Sequence, residues 1–238
     1  VRSLVATSTI DVVYSGKTVV DGDESEPYPE RFVNSYCRTK AVAEQMVLEA
    51  SGGDLKTTVI RPLSIYGERD PYHVTSLLEM SKSMPLIKIG DGTAKSQHVY
   101  VGNVAHAHVL AGAALLAEEN PKSAGEIYFA TDAPPGNFFD FLEPVLEALG
   151  HKVMPWSMAI PRGVMTAVAL VNEGAATLLR PFVRYTPMVT RFAVDFVCLD
   201  FTFKGDKIRR DLDYEPVYSE EEALERTIVW FKENPIPQ

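Results

Sequence analysis

The sequence predicts an α/β protein built on a parallel sheet, and three stretches carry that prediction. Residues 3–8 are a short β-rich run, which reads as a buried strand. The stretch "YCRTKAVAEQMVLEA" (residues 36–50) is rich in good helix formers and stops at Gly52-Gly53. "KTTVIRP" (residues 56–62) is a second buried strand, closed by Pro62, which cannot extend a central ladder. Strand, helix and strand in that order make a parallel α/β unit. With 238 residues, 46% of them hydrophobic, the chain can fill a sizeable core of one large domain or two small ones.

The elements follow in order. After the first strand, "DGDESEPYPE" is an acidic loop containing proline. Asn34 or Ser35 caps the helix at residues 36–50. From Tyr72 the elements shorten: a helix at 74–84 ends before Pro85, and small strands are expected at 86–89 and 97–101, with Asp91-Gly92 at a hairpin turn between them. Asn103 is expected to cap a helix running to residue 119, and residues 126–130 form a further strand. Asn137 caps a helix that ends before Gly150, with Pro144 expected to kink or restart it. Ser219 and Glu222 form a capping box for the last helix, whose acidic first turn suits the positive end of the helix dipole. The boundary falls near residue 71, between a first portion (1–71) and a second, mainly helical portion (72–238).

Composition removes several function classes. The formal net charge of −9 opposes a nucleic-acid surface. Cys37 and Cys198 are the two cysteines, far apart, so neither a disulfide framework nor a cysteine zinc site is expected, and a reducing compartment fits. His106 and His108 are two apart on a helix and point to different sides, which makes a structural role the expectation. No signal peptide is visible, and a chain that opens on valine inside a strand is expected to be a fragment. The apolar stretch at 160–182 is interrupted by Asn172, Glu173 and Gly174, too soon for the ~20 residues a membrane span needs. A buried or lid-forming helix is the expectation there, with an interfacial helix on a membrane as the alternative.

Gly16-Lys17-Thr18 looks like the end of a phosphate-binding loop, but the first glycine of that loop would have to stand where Asp11 is. A carboxylate there repels phosphate, and Val12, Val13 and Tyr14 leave no flexible loop to curl. Gly90-Asp91-Gly92 lies between short strands and not before a helix, so it is no dinucleotide turn either. Tyr36 and Lys40 stand at i and i+4 on one helix face. A neighbouring ammonium favours the phenolate, which would make Tyr36 a general base near neutrality. Chance alone supplies about half of one such match in a chain of this composition, so context decides. The pair follows a strand ending in Ser8-Thr9 and precedes one ending in Pro62, and open α/β sheets place ligands at such carboxyl ends.

Taken with "TSTIDVVYSG", "IRPLSIYGERD", "GDGTAKSQHVYVGNVAHAHVLA", "IYFATDAPPGNFFDFLEPVLEALG" and the tail from Asp206, these stretches resemble the later two-thirds of an extended short-chain dehydrogenase/reductase. Within that superfamily they are similar to the 3β-hydroxysteroid dehydrogenase/isomerase branch, which includes sterol-4α-carboxylate 3-dehydrogenases. The resemblance implies the C-terminal part of a Rossmann-like fold, with residues 1–71 a partial Rossmann portion carrying the catalytic Thr, Tyr and Lys, plus a small α+β substrate-binding region, with residues 72–238 mainly the substrate-binding and C-terminal helical portion. It implies that Thr9 holds the substrate oxygen, Tyr36 accepts the proton, and Lys40 binds the nicotinamide ribose and lowers the tyrosine pKa. Pro62 would line the nicotinamide of NAD or NADP, and Tyr66 and His98 the substrate-side wall. The implied substrate is a steroid or sterol with a 3β-hydroxyl, in an apolar pocket roofed by the helices at 138–149 and 160–179. Peripheral contact with a membrane, the cytoplasmic side of the endoplasmic reticulum and a homodimer go with the same resemblance.

Two departures from the family pattern stand out. The glycine-rich turn that approaches the pyrophosphate is not in these residues, and Asp213 stands where relatives commonly carry glycine. A nucleotide-sugar epimerase or dehydratase shares the Thr, Tyr and Lys set and is the enzymatic alternative. A non-catalytic binding protein is the alternative from another class.

Overall fold

A computed structural model describes residues 1–117, 121–179, 182, 187 and 189–236. In chain order the first elements are β1 (Ser3–Thr7), a 3-10 turn (Ile10–Val13), β2 (Val19–Gly22), α1 (Ser35–Glu49), β3 (Lys56–Pro62), β4 (Ser64–Tyr66) and α2 (His73–Met80). There follow β5 (His98–Tyr100), α3 (Val101–Ala117), β6 (Glu126–Ala130), α4 (Phe138–Ala148), a second 3-10 turn (Trp156–Met158) and α5 (Arg162–Leu179). The chain closes with α6 (Arg191–Cys198), β7 (Phe201–Phe203), α7 (Asp206–Leu212) and α8 (Glu220–Glu233).

The expected parallel unit is present. β1, β3 and β6 form one parallel sheet in the order β1-β3-β6, with Val5 opposite Thr58 and Thr58 opposite Glu126. Side chains alternate across a strand, and the two faces of β3 show it: Ile60 packs with Ala107 and Ala111 of α3, whereas Arg61 reaches Glu44 of α1. Helices thus cover both faces, as a buried parallel sheet requires. The sheet takes its third strand, and α3, from beyond residue 71, so the two portions of the chain interlock. Two further parallel pairs, β2 with β7 and β4 with β5, extend the architecture toward the carboxyl ends of the main strands.

Arg61 and Glu44 are both almost wholly buried and bond through two guanidinium nitrogens, and Tyr28 donates its hydroxyl hydrogen to the same carboxylate at 2.6 Å. This cluster ties α1 to β3. Asn34 caps α1 by accepting from the Cys37 amide at 2.8 Å, Asn137 caps α4, and Ser219 caps α8.

Several expectations are corrected. Residues 86–89 do not pair with β5 as a hairpin. They make isolated parallel bridges, Leu86 to Val153 and Ile89 to Ile160, because β5 pairs with β4. Asn103 does not cap α3, which begins two residues earlier. Its amide donates to Asp132 at 2.6 Å and its carbonyl oxygen accepts the amides of Val217 and Tyr218, so it ties the α3 start to the chain before α8. The expected end of that helix, residues 118 and 119, lies outside the described residues, as do 180 and 181 of the apolar stretch. α4 runs unbroken through Pro144. Asp213 adopts φ 50°, ψ 35°, the left-handed conformation in which glycine is at ease.

Candidate active site

The carboxyl end of β1 runs into Ser8 and Thr9, both buried. Thr9 is the N-cap of the 3-10 turn that follows. Its Oγ1 accepts the Asp11 amide hydrogen at 3.2 Å and donates its own hydrogen to Asp11 Oδ2 at 3.1 Å. That turn is anchored by Ile10, Val12 and Val13 in the core, which leaves Asp11 on the open side. Burial pushes the Asp11 carboxyl above its ordinary range, while the Thr9 hydrogen bond and the nearby His73 act in the opposite direction.

Tyr36 opens the first turn of α1 and is 52% exposed. It lines the same cavity as Thr9 and Asp11. Thr9, Asp11 and Tyr36 therefore form one cluster of oxygen-bearing side chains on that cavity wall. Partial burial raises the phenol's pKa, the Thr9 hydroxyl opposes that rise, and the Asp11 carboxylate adds to it. The expected lowering by Lys40 is corrected accordingly. The Lys40 ammonium donates to the Thr7 carbonyl at 2.8 Å and so anchors α1 to the end of β1. His108 reinforces the same strand end: its Nδ1 donates to the Val104 carbonyl at 2.8 Å, which leaves Nε2 to accept from Thr7 Oγ1 at 2.7 Å.

Two cavities meet at this cluster. The smaller, 320 Å³, lies over the ends of β1 and β3 and is lined by Ser8, Thr9, Pro62, Ser64 and Tyr66 among others. The larger, 650 Å³, is mainly apolar, with walls from Leu77, Met80, Ile89, Phe138, Phe139 and Phe192. Asp11, Tyr36, Tyr72, His73 and Phe196 belong to both linings. Asp70 holds the mouth in shape by accepting the backbone amides of Tyr72, His73 and Val74. His73 Nδ1 bonds the Ile65 carbonyl at 2.9 Å; a carbonyl only accepts, so Nδ1 carries the hydrogen.

The structure thus brings Thr9, Tyr36 and Pro62 to the same cavity, with Lys40 one helical turn from Tyr36. Tyr66 lines the smaller cavity, not the larger apolar one. The expectation for His98 is corrected, because it lines neither. Its ring stacks on Phe141 at 4.0 Å and 8°, and burial takes its pKa down to about 3. The roof is corrected as well. Phe138 and Phe139 of α4 contribute as expected, but α6, through Phe192, Phe196 and Val197, supplies the wall assigned to α5.

A family model described as the 3-beta hydroxysteroid dehydrogenase/isomerase family matches residues 1–160. The chain belongs to that family. It is 35% identical to the decarboxylating sterol-4-alpha-carboxylate 3-dehydrogenase of Schizosaccharomyces pombe, across 97% of this chain and 66% of the relative. It is also 35% identical to a 3 beta-hydroxysteroid dehydrogenase/Delta 5-->4-isomerase of Mycobacterium tuberculosis, across 97% of this chain and 61% of the relative. The chain thus spans less than two-thirds of either relative. The crystal structure of gox2253 matches with a TM-score of 0.68 at 26% identity, covering 99% of this chain and 67% of that one. The fold is that of the Rossmann-like extended short-chain dehydrogenases/reductases.

In this member of the 3-beta hydroxysteroid dehydrogenase/isomerase family, sequence reasoning missed Asp11, His73 and Phe196. Asp11 was legible only as an obstacle to phosphate. His73 and Phe196 sit in no recognisable spacing, and tertiary packing alone carries them to the junction of the cavities.

Proposed function

We propose that the full-length protein bearing this chain oxidises the 3β-hydroxyl of a steroid or sterol to a ketone, with NAD or NADP as hydride acceptor. The observation that supports this reading is the meeting of two unlike cavities at Tyr36 and Asp11, with Thr9 on the wall of the smaller one. The smaller cavity suits the nicotinamide end of a dinucleotide: it lies at the strand ends, and Ser8 Oγ on its wall is buried without a hydrogen-bond partner among the described residues. When bound, that cofactor supplies the hydride acceptor. The chain's own residues do the rest. Thr9 and Tyr36 orient the carbinol oxygen, and Tyr36 takes its proton. Lys40 holds the ribose, Pro62 lines the ring, and the apolar walls of the larger cavity exclude water from the reacting carbon.

The sugar-nucleotide alternative is disfavoured by the larger cavity, whose wall carries no lysine or arginine among the described residues to meet a diphosphate. NAD(P)H formation by the full-length protein, measured with a panel of 3β-hydroxysteroids against UDP-sugars, separates the two. Turnover confined to UDP-sugars overturns the proposal.

No helix among the described residues is long and apolar enough to cross a membrane. We propose peripheral contact with the cytoplasmic face of the endoplasmic reticulum through α5, whose Val171 and Leu178 are 73% and 75% exposed. Recovery of the full-length protein wholly in cytosol after fractionation would refute it. A homodimer is proposed alongside, and light scattering on the purified protein tests it.

A further inference from the structure

We propose that Asp11 is a specificity-determining residue, which admits neutral alcohols to the Thr9–Tyr36 pair and rejects substrates bearing an anionic group beside the reacting carbinol. The inference rests on the dehydrogenase reading and names the charge class of its substrate.

Asp11 is the only carboxylate on the wall of the larger cavity among the described residues. It stands at the reacting end, since it lines both cavities and its Oδ2 lies 3.1 Å from Thr9 Oγ1. A substrate oxygen held between Thr9 and Tyr36 therefore lies beside it, and so does any substituent on the adjoining carbon. Nothing on that wall compensates an added anion. On that wall the one group able to carry positive charge is His73, whose Nδ1 is taken by the Ile65 carbonyl, and Arg69 lines only the smaller cavity. The carboxylates of the smaller cavity are otherwise engaged: Asp70 accepts backbone amides, and Glu68 accepts from Tyr100 and Arg226.

The bond between Thr9 and Asp11 adds direction to the charge. The single hydroxyl hydrogen of Thr9 goes to the carboxylate, so Thr9 has none left to donate to an anionic oxygen on the substrate, and the carbinol hydrogen is left to Tyr36. Two like charges about 4 Å apart in a partly buried site repel strongly enough to weaken binding by roughly 100- to 1000-fold.

The test uses the full-length protein with two probes, a neutral 3β-hydroxysteroid and the same ring system carrying a 4α-carboxylate. Equilibrium binding and turnover are measured for both probes in the wild type, Asp11→Asn and Asp11→Ser. Asn keeps an amide-oxygen acceptor for Thr9 and removes the charge, while Ser removes the charge and keeps only a shorter hydroxyl, so either folded variant reports on the charge. The wild type is expected to bind the neutral probe on the order of 100-fold more tightly, and each variant to shrink that ratio by at least ~10-fold. Equal binding of the two probes by the wild type, or a ratio unchanged in both variants, overturns the inference. Charge-selective binding without turnover of either probe would overturn the dehydrogenase reading and leave Asp11 as the charge filter of a binding site.

Discussion

Acid should destabilise this protein through His98 in a way that one substitution removes. His98 lies in β5, fully inside an aromatic cluster: Phe141 stacks on it, the Phe138 ring centroid is 5.6 Å away, and Nε2 finds no hydrogen-bond partner among the described residues. Burial therefore holds the folded imidazole neutral, with a pKa near 3 against 6.5 in the open chain, and the proximity of His73 contributes in the same direction. A histidine with a depressed folded pKa is protonated first in the unfolded chain. Stability is accordingly intact above about pH 6.5 and is lost as pH falls from there toward 3. At about 1.4 kcal/mol per pH unit, the loss is roughly 2 kcal/mol by about pH 5 and approaches 5 kcal/mol near pH 3. His98→Phe preserves a flat ring against Phe141 and cannot titrate. Denaturant unfolding of both proteins at about pH 7.5 and about pH 5 should show the wild type losing roughly 2 kcal/mol more than the variant. Equal losses would refute the reasoning, because they would mean that the imidazole is solvated or paired in the fold.

Other consequences of the packing are open to the same kind of measurement. Glu44→Gln leaves the buried Arg61 guanidinium without its counter-charge and should cost about 3–5 kcal/mol in denaturant unfolding, whereas replacing both partners by apolar residues should cost less. Gly67→Ala places a methyl group 2.6 Å from Val101 Cγ1 at φ +139°, so a loss of roughly 1–3 kcal/mol and a distorted smaller cavity are expected; an unchanged melting temperature would contradict this. Asp213→Gly relieves the left-handed residue after α7 and should raise stability by up to about 1 kcal/mol.

The parts of the fold that could be read from the sequence are those written in local chemistry. Propensity and the Gly52-Gly53 stop define α1, side-chain caps mark the starts of α1, α4 and α8, and β-rich runs ending in Thr9 and Pro62 give two neighbouring parallel strands. The parts that could not be read depend on distant partners. Asn103 carries a capping side chain, yet Asp132, Val217 and Tyr218 claim it from far along the chain. Residues 86–89 have strand character, but β5 is already taken by β4, so they settle for single bridges.

The site divides along the same line. Thr9, Tyr36 and Lys40 follow from strand end and helix spacing, and the family resemblance supplied their proposed roles. His98 was misjudged because sequence does not say which face of a three-residue strand the aromatic cluster will occupy. Asp11 and His73 owe their position to a 3-10 turn and to the Asp70 amide cradle, and neither feature has a spacing signature. The expected depression of the Tyr36 phenol considered Lys40 alone; burial and Asp11 push the other way.

The most direct test of the proposed chemistry is a comparison of the full-length wild type with Tyr36→Phe, following NAD(P)H formation from a 3β-hydroxysteroid and cofactor binding on the same preparations. Loss of turnover by at least ~100-fold with cofactor affinity largely kept is the predicted result, since removal of a general base acts on the proton transfer. Turnover retained within a few-fold would contradict the assignment of Tyr36 as the base.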